Sequence, residues 1–290
     1  MQGTVDGFSY GFVTPVAAFL MACLGGALGL RCTIRSLRKH GTLKLGWLAL
    51  GATSIGSGIW TMHFIAMMGF TVQEAPVGYD PTITFASLAV AIVMVGVGIF
   101  IVGYRGATAM ALVTGGTITG LGIATMHYLG MAGMRLPGRL QYDTLTVTLS
   151  VVIAVVAATS ALWAAVSIHG FLPSLAASLG MGVAVTGMHY TGMAAVSVHL
   201  HGDGSPAGGD TATSLLGPML VGPAVFLLLA GAVVVFDPLL VTGDRARQRP
   251  VLPAPRRPGA PASWQSHSHG ERAVRPPARR PRRRERTGDR

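Results

Sequence analysis

Three histidines, His63, His127 and His189, stand in the same local setting along this chain. Each is directly preceded by methionine (Met62, Met126, Met188) and followed by an aromatic ring (Phe64, Tyr128, Tyr190). Each also has a second methionine four residues on (Met67, Met131, Met193). Imidazole and thioether are nitrogen and soft-sulfur donors. Together they suit copper, the sulfur selecting Cu(I). A phenol beside such a centre can orient an imidazole or hydrogen-bond a ligand, and an open coordination position can accept a diatomic gas. Haem is the competing cofactor, since His and Met both serve as its axial ligands. It ranks below copper because no haem-attachment pattern accompanies the histidines and methionine recurs with every one of them.

The three settings align without gaps as GSGIWTMHFIAMMG (56–69), GLGIATMHYLGMAG (120–133) and GVAVTGMHYTGMAA (182–195), with histidines 64 and 62 residues apart. That period fits one pair of helices, so the chain reads as three copies of a helical hairpin. On a helix, each histidine and its second methionine share a face, with the first methionine beside it. Gly56, Gly120 and Gly182 lie seven residues before each histidine, and Ala66, Gly130 and Gly192 three after it. Small residues let membrane helices approach closely, which marks the motif face as interhelical. A lone methionine on such a helix is a packing residue, the reading that suits Met68 and Met134. One histidine can be interhelical glue. Three ionisable rings inside a membrane point to function instead.

The elements that carry the motifs are membrane spans. Half of the 290 residues are hydrophobic and 11% are charged, against about 25% charged in soluble domains; mean hydropathy is +0.53. Seven apolar segments reach the roughly 20 residues that a bilayer requires: 10–30, 45–70, 82–104, 107–134, 144–168, 174–198 and 216–238. The expected fold is all-α and polytopic: three two-helix repeats plus one extra helix. Its parts are a transmembrane domain over 8–240 and a Pro/Arg-rich tail over 241–290. Cys23 falls inside the first span and Cys32 just past its end, with neither a disulfide framework nor a zinc pattern. The N-terminus lacks the basic region of a cleavable signal peptide, so the first span is expected to be retained.

Charge orients the bundle. Arg31, Arg35, Arg38, Lys39, Lys44 and Arg105 fall on one side; Glu74, Asp80, Asp143, Asp203 and Asp210 fall on the other with Arg135 and Arg139. The first side is expected to be cytoplasmic, placing the N-terminus outside and the C-terminus inside. The histidines then lie roughly 10–14 Å below the outer boundary at 1.5 Å per residue. The tail holds 14 of the 22 basic residues and 4 of the 11 acids, so it carries +10 of the net +11. It has too few apolar residues to fold alone and suits anionic lipid head groups. Nucleic acid is disfavoured, because no aromatic platform accompanies the charge. Asp237 marks an interface. His40, His169, His201, His267 and His269 read as bland polar positions, as does His199 beside the third motif.

Three Met-His-aromatic elements on alternate helices of a seven-span bundle resemble the MHYT domain, a bacterial integral membrane sensor domain. The resemblance covers residues 8–240. It implies sensing of oxygen, carbon monoxide or nitric oxide through protein-bound copper in the cytoplasmic membrane. The implied ligands are Met62, His63, Met67, Met126, His127, Met131, Met188, His189 and Met193, with Tyr128 and Tyr190 alongside. Phe64 departs from the motif's tyrosine. Members often carry a cytoplasmic cyclic-di-GMP enzyme or kinase. The tail is too short to hold one, so a cytoplasmic signalling partner is expected. No constellation of acid, base and nucleophile argues for an enzyme. The rival readings are a copper storage or transport protein and a structural membrane module without a ligand.

Overall fold

The structure, a computed structural model, describes residues 2–37, 41–168, 170–200 and 212–235. The tail and the expectations for His40, His169, His201, His267, His269 and Asp237 lie outside the described residues.

Apolar runs, broken by aspartate, proline and glycine, form seven helices: α1 (Val13–Ser36), α2 (Gly41–Met68), α3 (Pro81–Arg105), α4 (Ala109–Ala132), α5 (Thr144–Ser167), α6 (Phe171–Ala194) and α7 (Ala212–Val235). Asp80 starts α3 by accepting the amides of Thr82 and Ile83, with Pro81 in the first turn. Asp143 starts α5 by accepting from Thr146. Such caps satisfy amides that the helix leaves unpaired. Each hairpin turn holds a glycine at positive φ: Gly41 (61°), Gly106 (76°) and Gly170 (101°). Side chains are strained in that region, so the tight reversal favours glycine.

At the other end, six short strands appear that the apolar pattern does not announce. They are β1 (Val5–Asp6), β2 (Thr71–Val72), β3 (Gly78–Tyr79), β4 (Met134–Arg135), β5 (Gly138–Tyr142) and β6 (Val196–Leu200). They pair antiparallel as β1–β2, β3–β4 and β5–β6. Each pair joins the strand before an odd helix to the strand after the following even helix. The repeating unit is thus a hairpin of two helices closed by its own strands. A further bond recurs beside each pair: the amides of Ser9, Asp80 and Asp143 donate to the carbonyls of Gly69, Gly133 and Ala195.

The three units form a ring in which each helix from α1 to α6 packs on the next and α6 closes on α1. Close approaches between units use the glycine seven before each histidine. Gly56 meets the backbone of Ile92, Gly120 that of Val155, and Gly182 meets Phe19 and Cys23. α7, with Pro218 and Pro223 inside it, packs outside the ring on α2 and α1. Leu227, Ala230 and Val234 of α7 bury against Leu28 and Cys32. Cys32 is therefore inside α1, not past its end; the helix runs six residues beyond the apolar segment. It can do so because Arg35 lays its guanidinium over the Trp47 ring, 4.9 Å from the centroid.

Among the described residues, five helices, α1, α3, α4, α5 and most of α7, are long and apolar enough to cross a membrane. The chain is a multi-pass membrane protein.

Acid should loosen the strand end. A hydrogen bond from Arg135 holds the Asp80 carboxyl below its usual range, the Thr146 hydroxyl does so for Asp143, and Thr4 for Glu74. A carboxyl with a depressed folded pKa contributes stability that is complete above the ordinary carboxylate range. That contribution is lost as pH falls through the folded value. The melting temperature in detergent is expected to drop as pH falls from about 5 to about 2, from just above the ordinary carboxylate values through the depressed folded ones. Asp80→Asn with Asp143→Asn should shrink the drop; an undiminished drop would contradict this assignment.

Candidate metal centre

The even helices bring the three histidines to the bundle axis, each five residues before the end of its helix (Met68, Ala132, Ala194). At 1.5 Å per residue that is roughly 7–8 Å from the strand end, shallower than the sequence suggests, because the chain turns into strands sooner than its apolarity ends. All three are buried to 1% exposure.

Their Nδ1 atoms form a triangle: His63 to His189 is 3.0 Å, His127 to His63 is 3.2 Å, and His189 to His127 is 3.3 Å. The rings stand nearly perpendicular, with interplanar angles of 76–89°. Hydrogen bonds alone cannot satisfy this triangle. Each neutral Nδ1 is either a donor or an acceptor, so at most two of the three edges can pair. The point equidistant from three nitrogens at these spacings lies about 1.8 Å from each, too close for a water oxygen between them in their plane, whose N···O distance is about 2.7–3.2 Å. Imidazole–metal bonds are about 2.0–2.1 Å. A metal ion at such bond lengths would be within reach of all three nitrogens. The donor set therefore suits one metal ion held by three lone pairs. Among the described residues it is the one group of at least three His, Cys, Asp or Glu so placed.

Sequence positions three after the histidines explain how the rings are held. A Cβ on Gly130 would lie 2.5 Å from Nε2 of His63, and one on Gly192 would press on Nε2 of His127. Each of these rings thus leans on the glycine of the next unit. Nε2 of His63 and of His127 is buried without a hydrogen-bond partner. Met62, Met67, Met126 and Met131 are fully buried, Met188 is 1% exposed, and Met193 is half-buried. The methionines are thus largely buried on the same helices as the histidines.

The comparisons identify the family. The model of the MHYT family, described as a bacterial signalling protein N-terminal repeat, matches residues 56–115, 120–178 and 182–248. The chain belongs to the MHYT family. It is 38% identical over 197 residues to the bifunctional diguanylate cyclase/cyclic di-GMP phosphodiesterase MucR of Pseudomonas aeruginosa, covering 66% of this chain and 29% of that protein. It is 35% identical over 210 residues to the cyclic di-GMP phosphodiesterase NbdA of the same organism (67% and 26%). It is 29% identical over 189 residues to the signaling protein YkoW of Bacillus subtilis (63% and 23%). The chain spans under a third of the length of these relatives. No solved structure matches it. The MHYT matches start within even helices, out of step with the strand-closed units Val5–Val72, Gly78–Arg135 and Gly138–Leu200.

The MHYT aromatic belongs to a second layer that the motif alone does not show. Phe64 packs on Tyr79 (6.1 Å between centroids), Tyr128 on Tyr142 (5.9 Å) and Tyr190 on Phe8 (5.5 Å). Phe8, Tyr79 and Tyr142 each directly precede Ser9, Asp80 or Asp143, so aligning those turns would have revealed them. Burial raises the pKa of the Tyr79 and Tyr142 phenols. Tyr128 is tied down: its hydroxyl lies 2.6 Å from Ser150 Oγ, which itself donates to Val147 O. The phenol is therefore the donor.

This latch accounts for Phe64. Ser87 sits seven residues after Asp80, as Ser150 does after Asp143. Ser87 donates to Thr84 O and accepts from the Trp60 indole at 3.0 Å. Trp60 thus does for α2 and α3 what Tyr128 does for α4 and α5. In the remaining copy the serine position is Val16, and the Tyr190 hydroxyl has no partner. Phe64→Tyr is expected to destabilise the bundle by about 1–3 kcal/mol, since its ring tip faces Gly130 and Ser87 is engaged. Tyr128→Phe should cost about 1 kcal/mol. Unfolding in mixed micelles measures both; a stabilised Phe64→Tyr would contradict the latch.

His199, expected to be bland, lies exposed in β6, paired with Arg139.

Proposed function

We propose that this chain is a seven-span sensor of the cytoplasmic membrane whose His63, His127 and His189 hold one copper ion that answers a diatomic gas or a redox change. The observation that carries the reading is the Nδ1 triangle, with spacing and burial that suit a metal ion and defeat a hydrogen-bond network. Imidazole alone suits both zinc and copper. The thioethers of Met62, Met67, Met126, Met131, Met188 and Met193 on the same helices favour copper. Bound copper would supply an open position for oxygen, carbon monoxide or nitric oxide and a change of oxidation state.

The protein's own residues set that chemistry. The rings are held by Gly130 and Gly192, the helix ends are latched through Tyr128 and Trp60, and the apolar shell excludes water. Orientation follows from charge: Arg31, Arg35, Lys44 and Arg105 at the turn end suit the cytoplasm, and Glu74, Asp80 and Asp143 at the strand end suit the outside. Tyr190, whose phenol has no partner, is the tyrosine best placed to answer a ligand. Residues 241–290 lie on anionic lipid, and a cytoplasmic partner carries the signal onward, as befits relatives named for cyclic di-GMP turnover.

The test is elemental analysis of detergent-purified protein after copper loading, beside a folded His63→Ala/His127→Ala/His189→Ala variant. Copper kept by the parent and lost by the variant supports the reading. No metal in either moves the three motifs to a structural role.

A further inference from the structure

An apolar chamber lies on the bundle axis on the turn side of the histidines. All six ring helices line it. Its roof is Ile59, Ile123 and Val185, each one turn before a histidine: the same position in all three units. Ile55, Thr119 and Met181, one turn lower, repeat the pattern. The open volume is about 30 Å³, counted as room for the centre of a water-sized molecule.

The wall offers water almost nothing. Its two hydroxyls belong to Thr33 and Thr119. Thr33 donates to Gly29 O at 2.9 Å within its own helix. Thr119 Oγ1 is buried without a hydrogen-bond partner and lies against Gly98 of the neighbouring α3. A buried water needs two to four polar partners, and a cavity needs about 10–15 Å³ of such room to hold one. This chamber has the room, but of its two hydroxyls only that of Thr119 is without a partner, one short of what a water needs. Apolar cavities of that kind stay dry and take non-polar guests such as xenon.

We infer that the chamber is a docking site for a single small non-polar molecule of the dioxygen size class, one helical turn from the three imidazoles. Its existence stands on the wall residues alone. Its role as the place from which such a molecule meets the centre rests on the sensor reading above. The threefold repetition of the roof makes the chamber part of the repeat's design: the residue that precedes each histidine by one turn is β-branched in every unit.

Xenon is the probe. The full chain in lipid nanodiscs is examined by xenon-129 NMR, both metal-free and copper-loaded, with empty nanodiscs giving the lipid-dissolved background. A protein-bound xenon signal is expected in both forms. Ile123→Phe, which fills the roof, should abolish it; Ala158→Leu fills the wall from α5 and serves where the first variant fails to fold. Circular dichroism and thermal unfolding certify each variant. Absence of a bound signal from the folded parent overturns the inference, as does a signal unchanged in a folded, filled variant. A bound signal in protein that takes up no copper leaves the chamber standing and sinks the metal reading. Copper retention without bound xenon does the reverse.

Discussion

Replacing any one of His63, His127 or His189 by alanine should remove the whole metal equivalent rather than a third of it. The Nδ1 atoms lie 3.0–3.3 Å apart, too close for each to serve a separate ion, so the three rings act as one ligand set. Groups acting as a unit are not additive, and the triple variant should be no worse than any single one. Loss of a supporting contact outside a metal's ligands already weakens binding about 10–100-fold; loss of a ligand here should exceed about 100-fold. Metal titration followed by dialysis measures it. Three independent equivalents, lost one at a time, would contradict a shared centre. Methionine substitutions provide the contrast. Met67→Leu keeps the volume, so any loss of copper beyond a few-fold reports the sulfur as a donor rather than as packing.

Gly56→Leu should be severely damaging although it lies away from the histidines. A Cβ there would stand 2.8 Å from Cα and 2.9 Å from N of Ile92. Backbone atoms cannot rotate away, so α2 and α3 must separate, and the cost should reach about 3 kcal/mol, the upper end for overpacking. The seam also aligns His63 with the other rings, so metal affinity should fall with stability. Gly187→Ala is the control within a motif. Nothing lies within 4 Å of the Cβ it would add, and a mid-helix glycine gives up about 0.5–1 kcal/mol to alanine. That variant should be neutral or stabilised and keep its metal. Unfolding in mixed micelles separates the two, and equal losses would show that the close approach at Gly56 is not what governs stability.

The repeat and the histidine triad were legible in the sequence because both rest on identity at fixed spacing, which folding does not alter. Helix number was legible from apolar length. Helix ends were not: α1 continues through Arg31, Cys32 and Arg35, where charge ends the apolar run but a ring contact lets the helix persist. The strands were invisible, since two-residue pairs such as Gly78–Tyr79 with Met134–Arg135 carry no periodicity and owe their pairing to helices that bring the ends together. The aromatic partners Phe8, Tyr79 and Tyr142 escaped because the alignment was confined to the motif helices. Phe64 looked like a departure from the pattern. Only the position of Ser87 shows that Trp60 takes up the tyrosine's bond. The chamber was illegible, because a void is a property of how six helices meet and not of any one of them.

The most direct measurement of the central claim is X-ray absorption at the copper edge of the loaded protein. The account predicts a first shell with about three imidazole nitrogens near 2.0–2.1 Å, lost together in the His127→Ala variant. A shell of sulfur alone, or a nitrogen and oxygen shell unchanged when His127 is replaced, would contradict a centre built from His63, His127 and His189.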